Sequence, residues 1–274
     1  MSNLNNIKVK LNSLESLSSL TVIFQQVALI KMNEIRNQVL LRKDFFNDIW
    51  ELYSNIKSLE KHYKRNTLYE NAVIIISSDY GLLGNMNEKI INFMLNDKIN
   101  NPDIFVIGEK GKNILRQKKI KFRASYSFEE EISLEFVSKI LDDIKNYSNI
   151  AVYYEEFISI SAQKPKKMYL NFDSYKQGFR KKDVSSYLFE PSFESILSSL
   201  ESVMIGMMFT QILYESHLSQ YAARMVRMSN SSDKSKDLLK KERANYIKMK
   251  RRLSDDNMKL IFNNFMNNEQ QFKG

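Results

Sequence analysis

Residues 77–90, "SSDYGLLGNMNEKI", hold the first two glycines of the chain, and no proline precedes them. They directly follow "NAVIII" (71–76), the most β-prone run in the sequence. A continuous apolar run, then glycines, then the helically spaced "NEKIINFMLNDKI" predict a buried strand, a sharp turn and a helix. The G-x-x-G spacing of Gly81 and Gly84 is neither a dinucleotide fingerprint nor a P-loop. It reads first as a turn that glycines make sterically cheap. A phosphate site at the start of the following helix is the lesser reading.

Working outward, the alternation continues through the middle of the chain. "DIFVIG" reads as a strand, "KGKNILRQKK" as a short helix, and "FEEEISLEFVSKILDDIKNY" as an acidic amphipathic helix. "NIAVYYEEF" and the region of "KKMYLNF" read as further strands. Strands alternating with helices predict a small, largely parallel α/β layer, Rossmann-like in architecture. Gly108, Gly111, Gly178, Pro102, Pro165 and Pro191 all fall in this middle region.

The flanks are built differently. Nothing before Gly81 breaks the chain, and after Pro191 only Gly206 and Gly274 do. Leu4, Ile7, Leu11 and Leu14 follow the 3,4 spacing of a coiled-coil seam. Leu17, Leu20, Phe24 and Val27 are predicted to continue it after a three-residue stammer, broadening through Ile35, Val39, Phe46, Ile49 and Leu52. Sixty such residues would make a rod of roughly 90 Å. Leu200, Met204, Met207, Gln211, Tyr214, Leu218, Tyr221, Met225 and Met228 step by four and three without interruption. Two chain ends that pair across a folded middle must run antiparallel. The expected organisation is a coiled-coil helix at 1–68, an α/β domain at 69–190 and a second coiled-coil helix at 191–274.

Composition narrows the chemistry. The 274 residues carry 41 basic and 32 acidic side chains, a formal charge of +9, which favours an acidic partner. Cysteine is absent, which removes disulfides, thiol catalysis and cysteine metal sites. The first residues lack the apolar core of a secretory signal, and no apolar run reaches the roughly 20 residues of a membrane span. His62 and His217 have no partner at metal-binding spacing, and the acidic clusters Glu129–Glu131, Asp142–Asp143, Glu155–Glu156 and Asp255–Asp256 read as helix faces or turns. No catalytic constellation emerges, and no cofactor is implied. Basic runs at 116–123, 164–167, 180–182 and 240–252, with Arg224 and Arg227, are solvated faces or contacts for an acidic surface. Nucleic acid is disfavoured, because neither a basic-zipper fork nor an aromatic platform is present.

Five motifs in order resemble the gamma subunit, the rotor shaft, of F-type ATP synthases. Ile7, Lys8, Leu11, Ser13, Leu20, Thr21, Val27, Ala28 and Lys31 fit the family's N-terminal pattern. Ser78, Asp79, Gly81, Leu82, Gly84 and Asn87 match its S-D-R-G-L-C-G-G-x-N turn. "VIGEKG" (106–111), "YLFEPSFESIL" (187–197) and "YESHLSQYAARMVRM" (214–228) resemble three more, the last being the most specific. The chain departs from the pattern at Tyr80, Leu83 and Asn85, at "ESVM" (201–204), at "IKMKRRLSD" (247–255) and in its tail.

The resemblance implies an antiparallel coiled coil with an α/β foot, and a non-catalytic subunit serving an alpha/beta hexamer on the cytoplasmic side of the cell membrane. Arg224, Arg227, Lys248, Lys250, Arg251 and Arg252 are its expected contacts with beta subunits. Asp79, Tyr80, Gly81, Leu82, Gly84 and Asn87 are expected at a foot interface, with an epsilon-type subunit and a membrane ring as candidate partners. A specialised F-type-like ATPase uncoupled from proton movement is one alternative. A free-standing basic coiled coil that binds nucleic acid or membrane is another.

Overall fold

The computed structural model describes residues 2–57, 69–129, 131–170 and 192–271. His62, Glu130, Gly178, residues 180–182 and 187–191 lie outside them, as do the side chains of Phe46 and Leu52. In order, the elements are α1 (Ser2–Lys57), β1 (Tyr69–Ile76), α2 (Met86–Asn96), β2 (Asp103–Ile107), α3 (Glu109–Gln117), β3 (Ala124–Tyr126), α4 (Leu134–Ile144), β4 (Tyr147–Ser159), β5 (Ala162–Tyr169) and α5 (Phe193–Gln271). They form two compact units, one of Met1–Val27 with Arg227–Gly274 and the other of Ala28–Val226.

In the larger unit the sheet order is β3-β2-β1-β4-β5, parallel except for the β4–β5 pair. β1 is central, and Val73, Ile74, Ile75 and Ile76 are fully buried, as an unbroken apolar run demands of a strand covered on both faces. Val73, Ile75, Val106 and Tyr153 pack under Ile90, Ile91 and Met94 of α2 and Leu115 of α3. Ile74, Ile76, Phe105, Val152 and Tyr154 pack under α4, the Leu197–Leu213 stretch of α5, and Trp50 and Tyr53 of α1. Tyr53 donates its hydroxyl to Glu201 at 2.8 Å, tying the two long helices together inside this unit.

Three elements differ from the sequence reading. β3 is three residues after a basic run, with Ala124 and Tyr126 half-buried and Ser125 exposed, too short for an alternation to be read from sequence. α4 starts at Leu134 because Ser133 caps it, its hydroxyl accepting the amide of Phe136 at 3.0 Å. β5 begins before its expected start and includes Pro165, tolerated because β5 is an edge strand.

The helix seam is the main correction. On α1 the buried or half-buried positions include Leu4, Ile7, Leu11, Leu14, Ser18, Thr21, Gln25, Ala28, Met32, Ile35 and Val39, which follow an unbroken 3,4 repeat. There is no stammer. Leu17, Leu20, Phe24 and Val27 are 46–50% exposed instead. On α5 the repeat runs on past Met228 through Ser232, Ser235, Leu239, Glu242, Tyr246, Met249 and Leu253. Ser232 and Ser235 are buried, as is Thr21. Small seam residues let the helices approach closely, and a leucine or phenylalanine there would hold them apart. Hydrophobicity therefore gave the wrong stripe.

Direction follows from contacts within the larger unit. Ala28, Met32 and Ile35 cluster with Tyr214, Leu218, Tyr221 and Ala222, while Tyr53, further along α1, bonds Glu201, earlier on α5. Ascending along α1 there means descending along α5, so the helices are antiparallel. In the smaller unit Lys10 pairs with Glu242 at 2.5 Å and Glu15 with Arg243 at 2.6 Å. Contrary to the sequence reading, α1 and α5 each hold an 18-residue window apolar enough, by length and composition, to cross a membrane. In α5 that stretch supplies the core beneath the sheet, whereas only 11% of the α1 window is buried.

Candidate functional site

The turn after β1 is assembled from side chain to backbone bonds. Ser77 Oγ donates to the Ile107 carbonyl at 2.7 Å and accepts the Gly111 amide at 2.9 Å. A Cβ on Gly111 would stand 2.3 Å from that oxygen, and one on Gly108 only 2.4 Å from the Ser77 carbonyl oxygen. The glycines of "VIGEKG" thus let the start of α3 lie against the end of β1. Asp79 accepts the amide of Glu109 at 2.7 Å through Oδ1 and that of Phe128 at 2.8 Å through Oδ2. It thereby supplies the cap that Gly108 cannot give α3. Asn87 braces the other side, accepting the Ser78 amide at 3.1 Å and donating to Ser78 Oγ at 3.0 Å.

The sequence credited both glycines of "GLLG" with the turn. Only Gly84 adopts a left-handed conformation, at φ 68°; the other left-handed residue is Leu82, at φ 72°. Gly81 has open space where a Cβ would be, apart from Lys110 at 3.9 Å. Leu83 is buried against Met86 and Ala223 of α5, while Tyr80 and Leu82 are 60% and 56% exposed. Of the six foot residues, Asp79 and Asn87 hold the turn together, Gly84 shapes it, and Tyr80 and Leu82 face outward.

The turn leans on the motif 214–228 of α5. From Ser216 to Ala223 every residue is buried, which explains the small Ser216, Ser219, Ala222 and Ala223. His217 lies on Phe128 with ring centroids 4.2 Å apart, so Asp79, Phe128 and His217 form a continuous path from turn to helix. Burial, aided by the nearby Arg224 charge, pushes the His217 imidazole down to about 4, so it is neutral at physiological pH. Its Nδ1 has no hydrogen-bond partner among the described residues.

Arg224 stacks over Tyr221 at 5.1 Å and lines a shallow hollow with Asp79, Tyr80, Phe128, His217 and Gln220. The fold therefore places this cation beside the turn. Arg227, Lys248, Lys250, Arg251 and Arg252 belong to the other unit, where all five are exposed and none has an ion-pair partner among the described residues.

Glu155 was not singled out as a site by the sequence. It lies two residues beyond Tyr153, the last position of β4 paired with β1, on the face that α2 covers. It is 1% exposed, and neither carboxyl oxygen has a hydrogen-bond partner among the described residues. Burial raises it to about 7 although Lys89 opposes the shift. A buried acid at this end of the parallel strands, where α/β folds seat phosphates, disfavours the phosphate reading of the turn. Among the described residues no group of three or more His, Cys, Asp or Glu side chains could hold a metal ion.

Comparison with known proteins adds the following. The profile of a family described as ATP synthase matches residues 3–252. An ATP synthase gamma chain of Mycoplasma capricolum is 28% identical over 257 residues, covering 87% of this chain and 89% of that one. One from Amoebophilus asiaticus is 27% identical over 273 residues, covering 90% and 92%. Among solved structures, a chain of the Euglena gracilis mitochondrial ATP synthase in an OSCP/F1/c-ring assembly superposes with a TM-score of 0.70 at 14% identity, covering 97% of this chain and 94% of that one. A chain from the central stalk and c-ring of the Tetrahymena thermophila enzyme gives 0.59 at 19% identity, covering 78% and 99%. These two share the fold.

Proposed function

This chain belongs to the ATP synthase gamma-chain family, and from that premise we propose that it is the non-catalytic rotor of an F-type ATP synthase. ATP is made or hydrolysed in the surrounding alpha and beta subunits, and the paired helices couple their alternating states to rotation. The family match over residues 3–252, together with the antiparallel pairing of α1 and α5 in the larger unit, supports this reading. The relatives named above favour it over a specialised uncoupled ATPase or a free-standing nucleic-acid-binding coil.

Coupling requires that one side of the shaft favour one conformation of the subunits around it. Arg227, Lys248, Lys250, Arg251 and Arg252 are exposed cations suited to acidic loops of beta. Arg224, beside the turn, joins Tyr80 and Leu82 on a foot surface for an epsilon-type subunit or a membrane ring. Residues 1–68 and 191–274 serve as shaft and 69–190 as foot, with the whole subunit peripheral on the cytoplasmic side of the membrane. Tyr80 stands where the family usually has arginine, so the foot contact here is flatter and less charged than is usual in the family.

Co-expression with the alpha and beta chains of the same source tests the reading. The expected result is a stoichiometric complex with ATPase activity, and no hydrolysis by this chain alone. Hydrolysis by the isolated chain, or its absence from an assembled hexamer, contradicts it.

A further inference from the structure

The parallel strands start at the end of the sheet away from the turn at 77–84. Two segments reach that end on the side of α2 and α3, residues 97–102 before β2 and 118–123 before β3. Each is pinned from beneath, because Ile99, Ile120 and Phe122 are half-buried against the core of Ile90, Ile91 and Leu115. Their neighbours Lys98, Lys119 and Lys121 are therefore turned outward and exposed. Arg116, also exposed, stands 6.0 Å from the Phe122 ring centroid. The nearby carboxylates do not neutralise these cations. Asp97 is held by Lys167 and Tyr153, and Asp103 by Arg123 and Tyr147, which leaves exposed Glu70 at this edge.

Lys119 stands out within the group. The amide of Ile120 bonds the Leu115 carbonyl at 2.9 Å and that of Lys119 bonds Arg116 at 3.0 Å, closing α3 in a Schellman motif. Glycine usually fills the left-handed position of that motif, yet here Lys119 holds it at φ 57°. The side chain serves no core, so the strain is borne for an exposed charge.

We propose that Lys98, Arg116, Lys119 and Lys121 form a docking surface for the anionic phospholipid headgroups of the membrane beside which the subunit turns. This rests on the rotor reading above. Two observations favour lipid over an acidic protein surface. Lysine predominates, and its hydrated point charge on a flexible stem suits a fluid charged plane, whereas carboxylates in fixed places are gripped by arginine forks. The arginine at the strand starts, Arg123, is already committed to Asp103. Beside it Tyr69 is 44% exposed and stacks on Tyr147 with ring centroids 5.0 Å apart. A half-exposed tyrosine among cations matches the headgroup level of a bilayer. Lipid charge attracts each lysine from within a Debye length and is the same at every angle, so a turning foot keeps the attraction without a fixed contact.

Cosedimentation of the full chain with vesicles of equimolar phosphatidylglycerol and phosphatidylcholine tests this, beside vesicles of phosphatidylcholine alone, poly-glutamate and single-stranded RNA. The expected result is binding to the anionic vesicles ahead of the other three. Lys98→Glu with Lys119→Glu and Lys121→Glu should weaken it at least tenfold. The same charge change at Lys234, Lys240 and Lys241, exposed on α5, should weaken it less than threefold. Arginine at the three edge positions should preserve binding. Lys119→Gly relieves the left-handed strain, so it should raise the thermal midpoint and still weaken vesicle binding, which guards against a loss caused by misfolding. Equal losses in the two glutamate triples overturn the proposal, as do equal binding to neutral vesicles and tighter binding of poly-glutamate or RNA. These outcomes leave the rotor reading standing. Failure of the unmodified chain to assemble with alpha and beta defeats that reading, and the proposal with it.

Discussion

The carboxylate of Asp79 accepts the backbone amide of Phe128 at 2.8 Å, binding the turn after β1 to the segment that stacks on His217 of α5. With its second bond to Glu109, Asp79 makes two charge-assisted contacts that water would replace imperfectly. Asp79→Ala is expected to lower stability by about 2 kcal/mol in urea unfolding. Tyr80→Ala, at the exposed neighbouring position, should cost under about 0.5 kcal/mol and act only on partner binding. Equal losses at the two positions would contradict this division between holding the turn and presenting it.

The left-handed positions make a sharper test of the turn. Leu82 bears a side chain at φ 72°, so Leu82→Gly should raise stability by about 0.5–1 kcal/mol despite the flexibility glycine adds to the unfolded chain. Gly84→Ala should lower it by about 1 kcal/mol. Gly81→Ala should change little, since nothing crowds that site. Thermal melts of the three variants separate these outcomes.

Strands, helix directions and the strand-turn-helix at 71–90 were legible in the sequence because burial on both faces and glycine placement are local signals. The seam between Ser18 and Ala28 was not. A close-packed helix pair selects small residues, and hydrophobicity points to Leu17, Leu20, Phe24 and Val27 instead. The same holds for the turn. Its motif was recognisable, but the residue bearing the strain, Leu82, is one that no glycine-based reading would choose. Glu155 was invisible as a buried acid because its neighbour Glu156 pairs with Lys166 at the surface, and the two read as one exposed cluster.

Glu155 gives stability a pH dependence of known sign. Its folded value of about 7 lies above the ordinary 4.5. Between those values the folded chain holds a proton that the unfolded chain has released, so stability falls as pH rises from about 4.5 to about 7. Glu155→Gln should flatten that limb in urea midpoints measured across pH. A rise in stability over this window attributable to Glu155 would contradict its burial as a neutral acid.

His217 acts in the opposite direction. Its folded value of about 4 lies below the ordinary 6.5, so the unfolded imidazole takes up a proton that the folded one refuses. Its contribution is present above about 6.5 and lost as pH falls towards 4. Asp79 and Arg224 are the charged groups lining its hollow, and Arg224 adds to the shift. His217→Phe keeps an aromatic ring against Phe128 and should remove this acid-side loss. The two variants together resolve limbs that partly cancel in the unmodified chain.

The shaft cations are testable only in combination. Arg251 and Arg252 are exposed, and exposed charge contacts are individually weak. Arg251→Glu with Arg252→Glu should lower ATP turnover of the assembled complex while leaving nucleotide binding by beta largely intact. The effect should shrink as salt is raised. Unchanged turnover in a fully assembled complex would count against an electrostatic contact there.

Rotation itself tests the account most directly. Lys118 is exposed at the end of α3, and in a chain without cysteine Lys118→Cys takes a single bead or fluorophore. With the alpha/beta hexamer fixed to a surface, the account predicts that ATP drives this label in unidirectional rotation. Sustained ATP hydrolysis with the label stationary would contradict it.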